Sequence, residues 1–357
     1  MKRASPRLLA LLIGLTGSLH AHVIGDASHD ASARLFAREF APVRVALYRH
    51  AAADRLEGGG GGSHSPLLAM FGRFAPAVRV RTEGDVLLIE SNGLPAHGMM
   101  VGITAWQQQV PLPQPYTGDN AWRIPLHPRP SSNPVSIKDR FLRGAIALAA
   151  NGVPIFNPQN NRGEISAEIG ELDQWGGHCG RADDYHYHAA PLHLQAVLGE
   201  RLPIAYALDG YAIYGLNEPD GSAPQGLDAF NGHETPALGY HYHASLKYPY
   251  VNGGFRGVVV ERDGQVDPQP RAQGVRPALT GLRGAKITAF EGTPGATPSK
   301  LTYTVNGNPA SISYTAEAGR AWKFHFVAAD GTVRDETYRA GGGGKGGGKK
   351  KDGGKRE

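Results

Sequence analysis

The sequence predicts a mainly β fold: a β-rich domain with long ordered loops, followed by a small antiparallel β module. Three observations carry that expectation. Short apolar or alternating runs recur along the chain, turn dipeptides punctuate them densely, and strong helical periodicity is missing after about residue 60. The turn signals are Asn92-Gly93, Asn151-Gly152, Asp209-Gly210, Asp220-Gly221, Asn231-Gly232 and Asn252-Gly253.

The elements follow in chain order. Residues 1–21 read as a signal peptide: Lys2, Arg3 and Arg7 precede an apolar run from Leu8 to Leu15, and Ser18-Leu19-His20-Ala21 supplies small residues for cleavage. That run is too short to cross a bilayer, and no other segment nears the roughly 18–20 apolar residues required. The expectation is export to the periplasm, the cell surface or the medium. Residues 22–75 form an N-terminal helical and linker region. Leu35, Phe36, Phe40, Val43 and Leu47 suit a helix broken at Pro42, and the five glycines at 58–62 lack the Gly-Lys-Ser/Thr of a phosphate loop.

Residues 76–266 are the main domain. An alternating run at 77–82 and an apolar run at 86–90 flank an Asp/Gly turn and predict a hairpin. Further strands are expected at 145–149, 155–156, 204–208 and 211–214. Residues 267–280 are a Pro-rich linker. Residues 281–340 predict a small module of four strands, at 286–290, 301–305, 311–315 and 322–327, either independent or docked on the main domain. Residues 341–357, glycine with lysine, predict a disordered tail, solubilising or attached to an acidic envelope polymer.

The formal charge of +5 is local. The first 21 residues hold three positive charges and the tail a net +4, leaving about −2 between them, so no basic surface calls for nucleic acid. The single cysteine, Cys179, cannot close an intramolecular disulfide, so stability rests on the core and on any bound metal.

The pentapeptide Tyr-His-Tyr-His-Ala occurs twice, at 185–189 and 240–244. In a strand alternate side chains share a face, so each copy offers two imidazoles on one side and two phenols on the other. Two such strands brought together would present His186, His188, His241 and His243 to one point. Imidazole suits divalent transition metals, zinc, copper or iron among them. His178, flanked by glycine, is a fifth candidate. Asp183, Asp184 and Asp209 are candidate acceptors fixing the imidazole tautomers, Asp209 equally a plain turn residue. Cys179 suits a small buried group better than a ligand, and His193 and His325 suit structural positions. His233-Glu234-Thr235-Pro236-Ala237 lacks the second histidine of a zinc-protease helix. No Gly-x-Ser-x-Gly elbow and no dinucleotide fingerprint is present.

These segments resemble the YHYH domain family of secreted and envelope bacterial proteins, over residues 78–257. The resemblance rests on Asn-Gly-Val-Pro-Ile-Phe-Asn-Pro (151–158), Gly-Gly-His (176–178), both Tyr-His-Tyr-His copies, Ala-Leu-Asp-Gly-Tyr-Ala-Ile-Tyr-Gly (207–215) and Tyr-Pro-Tyr (248–250). Many relatives carry cysteines where this chain has Trp175 and Phe230, which fits loss of a disulfide. The resemblance implies a secreted β-rich domain and supplies no reaction.

The leading expectation is an exported metal-binding domain, with hydrolytic or oxidoreductase chemistry if a coordination position stays open. The alternatives are a module binding an extracellular carbohydrate or peptide through its tyrosines, and a structural envelope module whose histidines are structural. Oligomeric state is not encoded in any of these features.

Overall fold

The computed structural model describes residues 65–339. The expected signal peptide, the broken helix before residue 57, the glycine run and the C-terminal tail lie outside them. The described chain begins with helix α1 (Ser65–Gly72). Its apolar residues Leu67, Met70 and Phe71 are buried in the main core.

The predicted hairpin is present as β1 (Arg79–Glu83) and β2 (Val86–Glu90), and β3 (Trp122–Pro125) completes a three-stranded antiparallel sheet. The principal sheet has eight short strands. Four lie in the first half of the sequence region: β5 (Ala145–Ala149), β6 (Pro154–Phe156), β7 (Gly177–Cys179) and β8 (Tyr185–Tyr187). Four lie in the second: β9 (Ala205–Ala207), β10 (Ala212–Tyr214), β11 (Gly232–Thr235) and β12 (Gly239–His243). A small sheet of β4 (Pro130–Ser136) and β13 (Gly254–Gly257) accompanies it.

The order across the principal sheet is β11-β12-β10-β9-β5-β6-β8-β7. It reads as two copies of one four-strand unit joined at β5 and β9. Within each unit the pairings are antiparallel, parallel and antiparallel going outward. At the junction Leu148 lies opposite Tyr206, with Ala147 facing Ala207 and Ala149 facing Ala205. The central strands are apolar on both faces and fully buried, as Ala145 to Ala149 show. Their side chains are small, which lets layers pack closely on either side.

The C-terminal module has five strands, one more than expected: β14 (Ala285–Glu291), β15 (Ser299–Val305), β16 (Asn308–Glu317), β17 (Ala321–Val327) and β18 (Val333–Arg339), in meander order. The extra strand, Val-Arg-Asp-Glu-Thr-Tyr-Arg, is a charged edge with little burial, so it lacks the apolar alternation that marks a strand in sequence. The module is docked on the main domain. Ile287 exchanges backbone hydrogen bonds with the 102–103 segment (2.9 and 3.0 Å), the Tyr314 hydroxyl donates to the Pro111 carbonyl (3.0 Å), and Trp106 meets Tyr303 edge-on. The Pro-rich segment 267–280 joins in this packing. Its Arg276 forms a fully buried ion pair with Asp183 (2.6 Å) and lies over the ring of Phe324.

Candidate metal centres

The strand alternation works as the sequence implies, but β8 and β12 are not neighbours. Four strands separate them, five inter-strand steps or about 24 Å at the usual 4.8 Å spacing. The expected single site of four imidazoles is therefore replaced by two sites, one in each half of the sheet. Each recruits a third histidine from the adjacent hairpin strand, because the antiparallel register sets His178 opposite His186 and His233 opposite His241.

The first centre gathers His178, His186 and His188. The Nε2 atoms of His178 and His188 are 3.0 Å apart, and those of His186 and His188 are 3.1 Å apart. His186 Nδ1 donates to the Asp184 carbonyl (2.9 Å) and His188 Nδ1 donates to the Asn157 carbonyl (2.5 Å). A carbonyl only accepts, so in the neutral ring each of these Nδ1 atoms carries the hydrogen and Nε2 presents its lone pair. Two such lone pairs aimed at each other across 3.1 Å repel unless a cation lies between them. Burial pushes the His178 and His186 imidazoles well below their usual range, with the neighbouring rings adding to it, and burial brings His188 to about 4. All three are thus held neutral, the form that ligates. Phe156 stacks on His186 and closes that side.

The second centre gathers His233, His241, His243 and Glu218. Glu218 lies 2.8 Å from His233 Nε2, 3.3 Å from His241 Nε2 and 3.3 Å from His243 Nε2. Here all three Nδ1 atoms donate to carbonyls: His233 to Gln225 (2.7 Å), His241 to Gly239 (2.9 Å) and His243 to Gly215 (3.1 Å). His243 Nε2 is fully buried and makes no hydrogen bond. Burial lowers the His243 imidazole, an effect that its bond to Gly215 and the charge of Glu218 oppose.

Both centres rest on the same scaffold, built by the other half of the motif. Tyr185 donates to Asp173 and Tyr240 to Asp228, each at 2.8 Å. Each of those carboxylates also caps its own loop, bonding the backbone N–H of Trp175 and Gly177 in one half and of Phe230 and Gly232 in the other. Gly177 and Gly232 have a steric cause: an added Cβ would sit 2.5 Å from the Tyr185 hydroxyl or 2.4 Å from that of Tyr240. The preceding residues, Gly176 and Asn231, take positive φ of 80° and 65° and pass a carbonyl to the backbone of His188 and His243, at 2.8 Å each.

The three expected carboxylate acceptors do other work. Asp183 holds Arg276 and accepts from the Val110 N–H. Asp209 accepts from the Tyr242 hydroxyl (2.7 Å) and the Gly257 N–H (2.9 Å), fixing the phenol face of the second motif. Asp184 does meet His186, through its peptide carbonyl, with the carboxylate 3.7 Å away. Cys179 points to the face opposite His178, and burial raises its thiol far above the usual range. His193 packs with His97 and Trp175, and His325 pairs across the strands with Asp335.

His233 and Glu218 were not expected. His233 was legible in a longer repeat: Leu-Asp-x3-Gly-His-x6-Tyr-His-Tyr-His runs from Leu172 to His188 and again, with identical spacing, from Leu227 to His243. Glu218 carries no such signal, since the first repeat has no glutamate at the matching place.

Neither the curated proteins nor the solved structures compared with the chain match it. The family model described as YHYH protein matches residues 121–225, a span that contains the whole first centre and Glu218 and stops before the second histidine copy.

Proposed function

We propose that this is an exported metal-binding protein with two separate transition-metal centres, one at His178, His186 and His188 and the other at His233, His241, His243 and Glu218. The observation that carries the reading is the convergence of bare Nε2 lone pairs whose Nδ1 hydrogens are committed to carbonyls. The spacing supports it. Tetrahedral zinc with Zn–N bonds of about 2.0–2.1 Å sets its donors about 3.3 Å apart, and the donor separations quoted above run from 2.8 to 3.3 Å. Imidazole with carboxylate suits zinc, copper or iron, and no thiolate takes part. Each Nδ1–carbonyl bond orients its ring as outer partners do at metal sites. Export rests on the leader-like residues 1–21. Among the described residues no helix is long and apolar enough to cross a membrane.

The test is elemental analysis of the purified chain beside the His186→Ala/His241→Ala variant, which removes one imidazole from each centre. Two equivalents of a transition metal, lost in the variant, are expected. A folded wild-type protein without metal even after reconstitution would overturn the reading.

A further inference from the structure

The two halves of the sheet match beyond the histidines, and the match exposes one substitution. The carbonyl receiving His188 Nδ1 belongs to Asn157, and the one receiving His243 Nδ1 belongs to Gly215. Three residues later come Asn160 and Glu218. Each opens the same tight loop: Asn160 N–H donates to the Glu164 carbonyl and Glu218 N–H to that of Ser222, both at 2.8 Å. The Gly163 N–H returns to Asn160 and the Gly221 N–H to Glu218, both at 2.9 Å, with φ of 79° and 87°. Asn160 therefore stands where Glu218 stands.

The two side chains behave differently. Glu218 turns into its histidines. Asn160 cannot offer a ligand lone pair, because its Oδ1 accepts from the Arg162 and Glu164 N–H groups (2.8 and 3.2 Å). Its amide hydrogens point to Glu164 and to Glu171. Glu171 is itself buried, held by the Ser166 hydroxyl (2.9 Å) and by Arg162 (2.8 Å). Glu171 and His178 then line one small cavity together, whose other walls include Met100, Ile103, Trp106 and Gln109. Where the second centre receives the Glu218 carboxylate, the first centre has no fourth donor among the described residues, and the cavity reaches it at His178.

We propose that the two centres differ in kind: the Glu218 centre is closed by four protein ligands, while the His178 centre has three and takes a small exogenous ligand, water or a small anion, from the cavity beside Glu171. This rests on the metal-binding reading above. Three imidazoles with one exchangeable position is the arrangement that hydrolytic or oxidative chemistry requires, so any such activity belongs to the first centre.

The test is azide titration of the full chain loaded with cobalt(II), followed by its visible spectrum. Saturable change in half of the cobalt signal is expected. The response should persist in His233→Ala/His243→Ala, which retains one cobalt, and vanish in His178→Ala/His188→Ala. Glu218→Ala, a change at a loop side chain, should make the second cobalt respond as well. Two bound cobalt ions with no azide response, or a response confined to the Glu218 centre, overturn this proposal and leave the metal reading intact. Failure to bind cobalt at all overturns both.

Discussion

If the centres are independent, metal should stabilise the fold in two equal and separable steps. A ligand that binds only the native state adds about 2.7 kcal/mol per site at a free concentration 100-fold above its Kd. Sites about 24 Å apart should add without coupling, giving about 5.4 kcal/mol for the pair. At roughly 2–4 °C per kcal/mol for a protein of this size, saturating zinc should raise Tm by roughly 10–20 °C. The variant His186→Ala/His188→Ala and the variant His241→Ala/His243→Ala should each retain about half of that rise, measured against its own metal-free form. Differential scanning calorimetry with and without chelator reads this directly, and isothermal titration of the same samples should give one equivalent each. If either variant alone abolishes the whole shift, the histidines act as one site and the two-centre geometry is refuted. An unchanged Tm for wild type across the titration would refute metal binding to the native state.

Other outcomes follow from contacts outside the donor sets. Asp183→Ala should leave the buried guanidinium of Arg276 unpaired and cost about 3–5 kcal/mol in chemical denaturation, while metal stoichiometry stays at wild-type level; lost metal in the folded variant would restore Asp183 as an imidazole partner. Gly177→Ala and Gly232→Ala should each cost about 1–3 kcal/mol by overpacking, since the new methyl would meet a tyrosine ring and the backbone oxygen of His186 or His241, at 2.8 and 2.9 Å; a neutral result would mean that the loop can shift. His97 and His193 are half-buried beside Trp175, and their desolvation there lowers them to about 4 and about 3. Because their folded values lie below the unfolded one, their contribution is fully present above about pH 6.5 and is lost as pH falls toward 4. Urea titrations at pH 7 and pH 5 should therefore show a smaller acid loss, by about 3–4 kcal/mol for the two rings together, for His97→Phe/His193→Leu than for wild type; equal losses would refute the neutral assignment.

The sequence carried the local half of the structure and missed the pairing half. Period-two alternation placed His186 with His188 and His241 with His243 on one face, and β8 and β12 obey it. Turn dipeptides and apolar runs located β1, β2, β5, β6, β9 and β10 to within about two residues. Which strands lie side by side is another matter. The two histidine strands looked like partners because they are alike, yet they are alike because each belongs to its own copy of a repeated unit, and the junction at Leu148 and Tyr206 holds the copies apart. His178 and His233 enter through hairpin register, a property of pairs that no single strand displays. Glu218 enters through a loop whose counterpart carries Asn160, so comparing the copies by residue identity hides it.

The spacing of Tyr-His-Tyr-His makes sense as a division of labour across the sheet. The imidazole face needs bare nitrogens held at fixed separation, and that arrangement is electrostatically unfavourable on its own. The phenol face supplies the constraint. Tyr187 is held by Asn151 at 3.0 Å and by His97 at 2.8 Å, and Tyr242 by Asp209 at 2.7 Å and the Arg256 N–H at 2.8 Å. The phenol partners Asn151, which donates its amide N–H, and Asp209, which accepts, occupy matching places in the two copies, each just before the glycine of its turn, Gly152 or Gly210. Burying a phenol with its hydroxyl satisfied stabilises the strand through a large apolar area without the cost of an orphaned polar group. Each copy thus spends its tyrosines on rigidity, so that its histidines can converge in a geometry that a flexible strand would relax. Loosening the phenol face alone, with Tyr187→Leu or Tyr242→Leu, should therefore weaken metal binding at the nearer centre only, although no metal donor has been touched. Calorimetric titration of the two variants would show this as one weakened site beside one of unchanged affinity. Equal weakening of both sites would mean that the phenols support the sheet as a whole and not the centre on the strand they share.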